Sequence, residues 1–203
     1  MFFAPLIRFS QVSGSVGSLF ARVRSRTIAV TLGPFDVLNL ETDDGTFQDD
    51  PKTIADLSGT LIEASAPVAV FSGSESTGAP GGVVDIPTYG GWMSGDTCCL
   101  DHLEDQMFPV ESVGTHYVVT RSPVRSTSSY REPDVIRFVG AAEDSAISTS
   151  LPAPFDKFLL KNGEVRTTWA DADFVATGSR PFMVAQLQIS QEYVDGSLTG
   201  DPS

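Results

Sequence analysis

Two cysteines stand side by side at Cys98-Cys99 and run into Leu100-Asp101-His102; they are the only cysteines in the chain. Three chemistries fit such a cluster. Adjacent thiols can close a strained vicinal disulfide, or one can bridge to another chain, and strained bridges are the reducible kind. One thiolate beside Asp101 and His102 could attack a carbonyl, the alternative being a thiol-dependent hydrolase. A metal is a poorer fit, since a tetrahedral zinc site wants four ligands at wider spacing, and no metal site is expected. The bland reading is a pair of half-buried thiols at the start of a helix. His102 and His116 are the only neutral-pH bases. His116 lies in Thr115-His116-Tyr117-Val118-Val119, an alternation that reads as one face of a strand. Gly14-Ser15-Val16-Gly17 misses the spacing of a nucleophile elbow.

Other chemistry finds less support. With 26 acidic residues in the chain, nothing singles out a carboxylate pair for glycoside hydrolysis. Thr42–Asp50 is rich in oxygen ligands but lacks the EF-hand spacing, and Asp195-Gly196 and Gly200-Asp201 are weaker still. A solvated acidic surface accounts for them equally well. Neither Gly81-Gly82 nor Gly90-Gly91 leads into the Lys-Ser or Lys-Thr of a phosphate loop, so no cofactor is expected. The only asparagines, Asn39 and Asn162, are not N-glycosylation acceptors.

The elements that must position these residues read as strands. Short apolar or alternating runs are cut by Gly, Pro, Ser and Asp, the pattern of an all-β, sandwich-like domain. Strands are expected at 27–32, 35–41, 59–64, 67–72, 115–120, 134–140, 146–150, 158–161, 164–169, 173–176 and 181–189. Asn162-Gly163 predicts a type I′ hairpin between its flanking strands. Ala64-Ser65-Ala66-Pro67 predicts a second hairpin. That unit resembles Val175–Val184 at an offset of 114 residues, which suggests duplicated hairpin units. One short helix is expected near 100–107, capped by Asp96 or Thr97. Gly73–Thr97 is long and rich in Gly, Ser, Thr and Pro, and such loops commonly carry function. Tyr89 and Trp92 within it are the candidate binding residues. They either stand exposed as aromatic anchors or fold back onto the core.

Composition narrows the class. The chain of 203 residues is 41% hydrophobic, which supports a real core, and no apolar run is long enough to span a bilayer. The net charge of −13 repels nucleic acid phosphates. Residues 1–30 nevertheless hold Arg8, Arg22, Arg24 and Arg26 and no acid. This basic, Ser/Gly-rich segment is read as a solvated arm of poor order. The β domain would be 31–203, with similar halves at 31–110 and 111–203. Met1–Ile7 lacks the order of a secretory signal.

Leu57–Gly73, Cys99–Pro109 and Gly200–Ser203, with Pro181–Gln186 fitting as well, resemble the N-terminal domain family of IgG Fc-binding proteins over about 35–203. The resemblance implies a secreted or surface-exposed, all-β, non-enzymatic module. It also implies that the family pattern continues past Ser203, so the chain reads as a piece of a longer protein with further repeats. Ser76 stands where the animal members of the family carry a cysteine, and the Cys98-Cys99 doublet looks like the bacterial branch. No IgG-contacting residue therefore carries over. The expectation is an extracellular binding or adhesion module with a protein or glycan ligand, and no enzyme.

Overall fold

The computed structural model describes residues 6–9, 17–23, 26–41, 57–79, 84, 86–87, 101–126, 129–141, 143–190 and 193–194. They form an all-β fold of several, mostly antiparallel sheets with no closed barrel. In chain order the strands are β1 (Leu6–Phe9), β2 (Gly17–Val23), β3 (Arg26–Leu32), β4 (Leu61–Ala64), β5 (Phe71–Thr77) and β6 (Asp101–Gln106). They continue with β7 (His116–Val119), β8 (Asp134–Gly140), β9 (Ser145–Thr149), β10 (Lys157–Leu160), β11 (Val165–Ala170), β12 (Phe174–Gly178) and β13 (Phe182–Gln188).

The second half of the chain is a sandwich. One sheet runs β10-β9-β12-β7 and the other β11-β8-β13. Inward-facing Val119, Ile136, Phe138, Ile147, Leu160, Phe174, Ala176 and Phe182 make one core between them. Phe138 sits at its centre, with Phe155, Phe158, Phe174 and Phe182 at centroid distances of 5.2–6.4 Å. Tyr117 clamps the two sheets together. Its ring meets Phe182 edge-on at 4.9 Å, and its hydroxyl donates to the Phe182 carbonyl at 2.6 Å. Burial holds that phenol above its ordinary pKa, against a lowering by the Gly114 N–H, so it remains a donor.

β8 is buried at every residue, a pattern that requires cover on both faces. The outer face is closed by the first half of the chain. Ala79, Val84 and Ile86 pack on Val135 and Ile189. Ser58 receives a hydrogen bond from the buried Arg137 at 3.1 Å. Leu61, Val110 and Val113 pack on Ala141 and Met183. The remaining strands form a sheet β1-β4-β2-β3, in which β1 and β4 are parallel, and a ribbon of β5 and β6.

Several expectations are corrected. Residues 100–107 are not a helix, since Asp101–Gln106 is strand β6, paired with β5. Leu100, Leu103 and Met107 have helical spacing, but pairing overrides so weak a local preference. Neither expected hairpin forms. Around Asn162-Gly163 only Gly163 has positive φ, +70°, whereas a type I′ turn needs both residues there. β10 and β11 accordingly enter different sheets. β4 and β5 also part company after Pro67, as do β12 and β13 after Pro181, so the duplicated units are sheet-changing corners rather than hairpins. Residues 35–41 form no strand. β1 and β2, in the basic N-terminal segment, were not foreseen. The runs at 134–140 and 146–150 come out as β8 and β9 within one residue.

Two glycines join the halves. Gly59 has φ +79°, and a Cβ there would lie 2.1 Å from the Gly163 carbonyl oxygen. Gly59→Ala therefore strains the backbone and forces the two turns apart. It should cost about 2 kcal/mol or more, read from the urea midpoint. Acid should also destabilise the fold. Burial raises the Glu132 pKa, but hydrogen bonds from the Arg125 and Ser126 N–H groups outweigh it and leave the pKa below the ordinary 4.5. Glu164 is likewise lowered: burial raises it, and bonds from the Lys161 N–H and Arg166 prevail. A depressed folded pKa gives stability that is present above the unfolded value and lost as pH falls through the folded one. Thermal melts should drop below about pH 4.5. Glu132→Gln should lower the neutral-pH melt and flatten that acid slope.

Candidate functional site

The β5–β6 ribbon is the feature that turns this scaffold outward. Phe71 pairs with Gln106, Ser72 with Asp105, Gly73 with Glu104 and Ser74 with Leu103. A register shift then brings Thr77 opposite Asp101. The ribbon thus holds both ends of the long loop, 78–100, at neighbouring positions. Alternation sorts its side chains. One face presents Phe71, His102, Glu104 and Gln106 to solvent, continued by Phe108. Phe71 is 60% exposed and Phe108 67%. The other face carries the buried Ser72 and half-buried Leu103. Two large aromatics thus stand in water on and beside a ribbon whose charged residues, Glu75, Asp101, Glu104 and Asp105, are acidic.

The near half of the loop is tied down. The Ala79 N–H donates to Ser190 Oγ at 2.8 Å, and the Ser190 N–H to the Ala79 carbonyl at 2.8 Å. The Pro87 carbonyl accepts from the Tyr130 hydroxyl at 2.6 Å. These bonds, with the packing of Ala79, Val84 and Ile86, tie the described residues at the start of the loop to the fold.

The expected site residues fare differently. Tyr89, Trp92, Cys98 and Cys99 lie outside the described residues, as do Thr42–Asp50, Asp195 and Gly200-Asp201. Asp101 opens β6. His102 is exposed on the same strand, its Nε2 3.4 Å from Glu104 Oε2. This is an open surface pair, of a kind worth under about 1 kcal/mol. His116 lies on β7 as expected, its Nδ1 2.9 Å from Thr177 Oγ1 across the strand pair. A hydroxyl at that distance from an imidazole resembles a nucleophile and its base, yet here both sit on the outer face of a sheet, outside any cleft. Among the described residues no group of three or more His, Cys, Asp or Glu could hold a metal ion. No helix among them is long and apolar enough to cross a membrane.

Phe71 and Phe108 were not singled out by sequence reasoning. Phe71 falls only within the expected strand at 67–72. The signal available was the period of two from the buried Ser72, which puts Phe71 on the opposite face.

The family model for IgGFc binding protein matches residues 11–203. The chain belongs to the IgGFc-binding family. The match starts within the basic segment and takes in β2 and β3, further upstream than the quoted motifs. No curated protein and no solved structure matches the chain. The IgGFc-binding family is a binding family and not an enzyme family. Its name implies a protein partner, which fits a ribbon presenting aromatics better than a buried reaction centre.

The ribbon depends on one small residue. A Cβ at Gly73 would lie 2.1 Å from the Leu103 carbonyl oxygen. Gly73→Ala should therefore open β5 from β6, seen as a fall of about tenfold or more in amide exchange protection at 72–74 and 103–106. Protection in β8 should be unchanged.

Proposed function

We propose that this chain is a non-enzymatic, extracellular binding or adhesion module of a larger secreted or surface protein. Its contact surface would be the part of the expected 73–97 loop that lies beyond β5, residues 78–97, together with the exposed face of the β5–β6 ribbon. The observation that carries this reading is the ribbon itself, which mounts a long loop on paired strands and flanks it with solvent-facing Phe71 and Phe108. Family membership supports the binding role, and the family is typically extracellular. Tyr89 and Trp92 in the loop are the proposed anchors, because large aromatics supply most of the energy at compact protein contacts. The acidic surface favours a basic partner.

The test uses the purified Fc fragment of IgG on a sensor surface, the ligand the family is named for. Trp92→Ala should weaken capture by about tenfold or more, with the melting temperature within ~2 °C of wild type. A large drop in melting temperature instead would place Trp92 in the core and remove it from the contact surface. Wild-type protein that passes over the Fc surface without binding would exclude IgG as the ligand.

A further inference from the structure

A second apolar feature stands apart from the ribbon. Gly33-Pro34-Phe35-Asp36 is a tight turn, closed by the Asp36 N–H on the Gly33 carbonyl at 3.2 Å. The Asp36 carboxylate accepts the Gly33 N–H at 2.8 Å. Phe35 occupies the third position with φ +71°, a place that turn chemistry gives to glycine. Its side chain is fully exposed, at 102%, and Val37 beyond it is 90% exposed. Leu38 packs back on Ile62 and Ala64 and roots the loop. The chain therefore holds a phenyl ring in water at the cost of backbone strain, with Asp36 next to it and the exposed Glu41 six residues further on.

A receptor of matching chemistry lies on the sandwich. The outer face of the β9–β10 pair carries a shallow, open groove lined by Ala146, Ile147, Ser148, Lys157, Phe158 and Leu159. Leu159 is 49% exposed there. Lys157 supplies a positive charge at the groove, and β10 is the edge strand of its sheet. An acidic, aromatic tip and a mostly apolar groove with a lysine are complementary in charge and polarity.

We propose that a second copy of this chain is the occupant: Phe35 of one copy seats in the β9–β10 groove of the next, with Asp36 and Glu41 facing Lys157. Because tip and groove are different patches, the contact is heterologous, the type that links copies head to tail. It uses neither the ribbon nor the 73–97 loop, so it leaves the proposed ligand surface free.

Sedimentation of the full chain over a wide concentration range tests this. Wild-type protein should exceed the monomer mass of 21.6 kDa as concentration rises. Phe35→Gly removes the ring and suits the positive φ, so it should melt no lower than wild type yet stay monomeric. Leu159→Asp should also fold and stay monomeric. An equimolar mixture of the two variants should regain association, because one keeps the tip and the other the groove. A wild type that remains monomeric at every concentration overturns the proposal and leaves Phe35 to a different partner. Association that survives either substitution, or a mixture that stays monomeric, overturns it equally.

Discussion

The double burial of β8 is the constraint on which the rest depends. A strand buried at all seven positions cannot be satisfied by a two-sheet sandwich alone. Its inner face has Phe138 and Ile136 in the sandwich core. Its outer face carries Val135, the buried Arg137 and Val139, and each stretch of it needs cover from elsewhere. The turn at 57–60, the loop start at 79–86 and the segment 110–113 provide that cover. Arg137 sharpens the requirement, because a buried guanidinium without partners is far more costly than a buried valine. Its bond to Ser58 makes the turn at 57–60 a working part of the core.

That constraint explains the glycines. Gly59 and Gly163 meet backbone to backbone, and Gly140 lies against the Lys161 carbonyl. The Gly163 N–H donates to the Gly140 carbonyl at 2.9 Å, and the Gly140 N–H to the Glu164 carbonyl at 3.0 Å. The corner between β10 and β11 is thus pinned to the end of β8, and the turn at 57–60 is laid over that corner. No side chain fits between them. The sandwich and the covering segments consequently form one packing unit at this end.

How much of this was legible follows from what local sequence encodes. Asp134–Gly140 announces itself as a strand because its apolar run is short, bounded and rich in branched residues. Asn162-Gly163 correctly marks a turn, since Gly163 takes positive φ, but dipeptide chemistry does not say which sheet the next strand joins. The same gap hid the corners after Pro67 and Pro181, where tertiary packing decides the partner. The helix expected near 100–107 failed because its spacing signal was only eight residues long, and β5 offered a paired alternative. β1 and β2 were missed because Ser, Gly and Arg blur their alternation. Of the candidate site, the loop and its place between strands were legible. The exposed Phe71, Phe108 and Phe35 were not, since an isolated phenylalanine in a sequence reads as core.

The ribbon also bears on the departure at Ser76. Family resemblance implies that animal members place a cysteine at this position, paired with one at the start of the following strand. Here Ser76 falls within the register shift of β5, and Thr77 stands opposite Asp101, two residues beyond Cys99. The pairing of β5 with β6 already brings the end of β5 and the start of β6 side by side. What a bridge would add is a closed loop, and loop closure mainly restricts the unfolded chain. This chain restrains the same loop differently, by burying Ala79, Val84 and Ile86 against Val135 and Ile189. Cover for β8 and restraint of the loop's start are then one set of contacts.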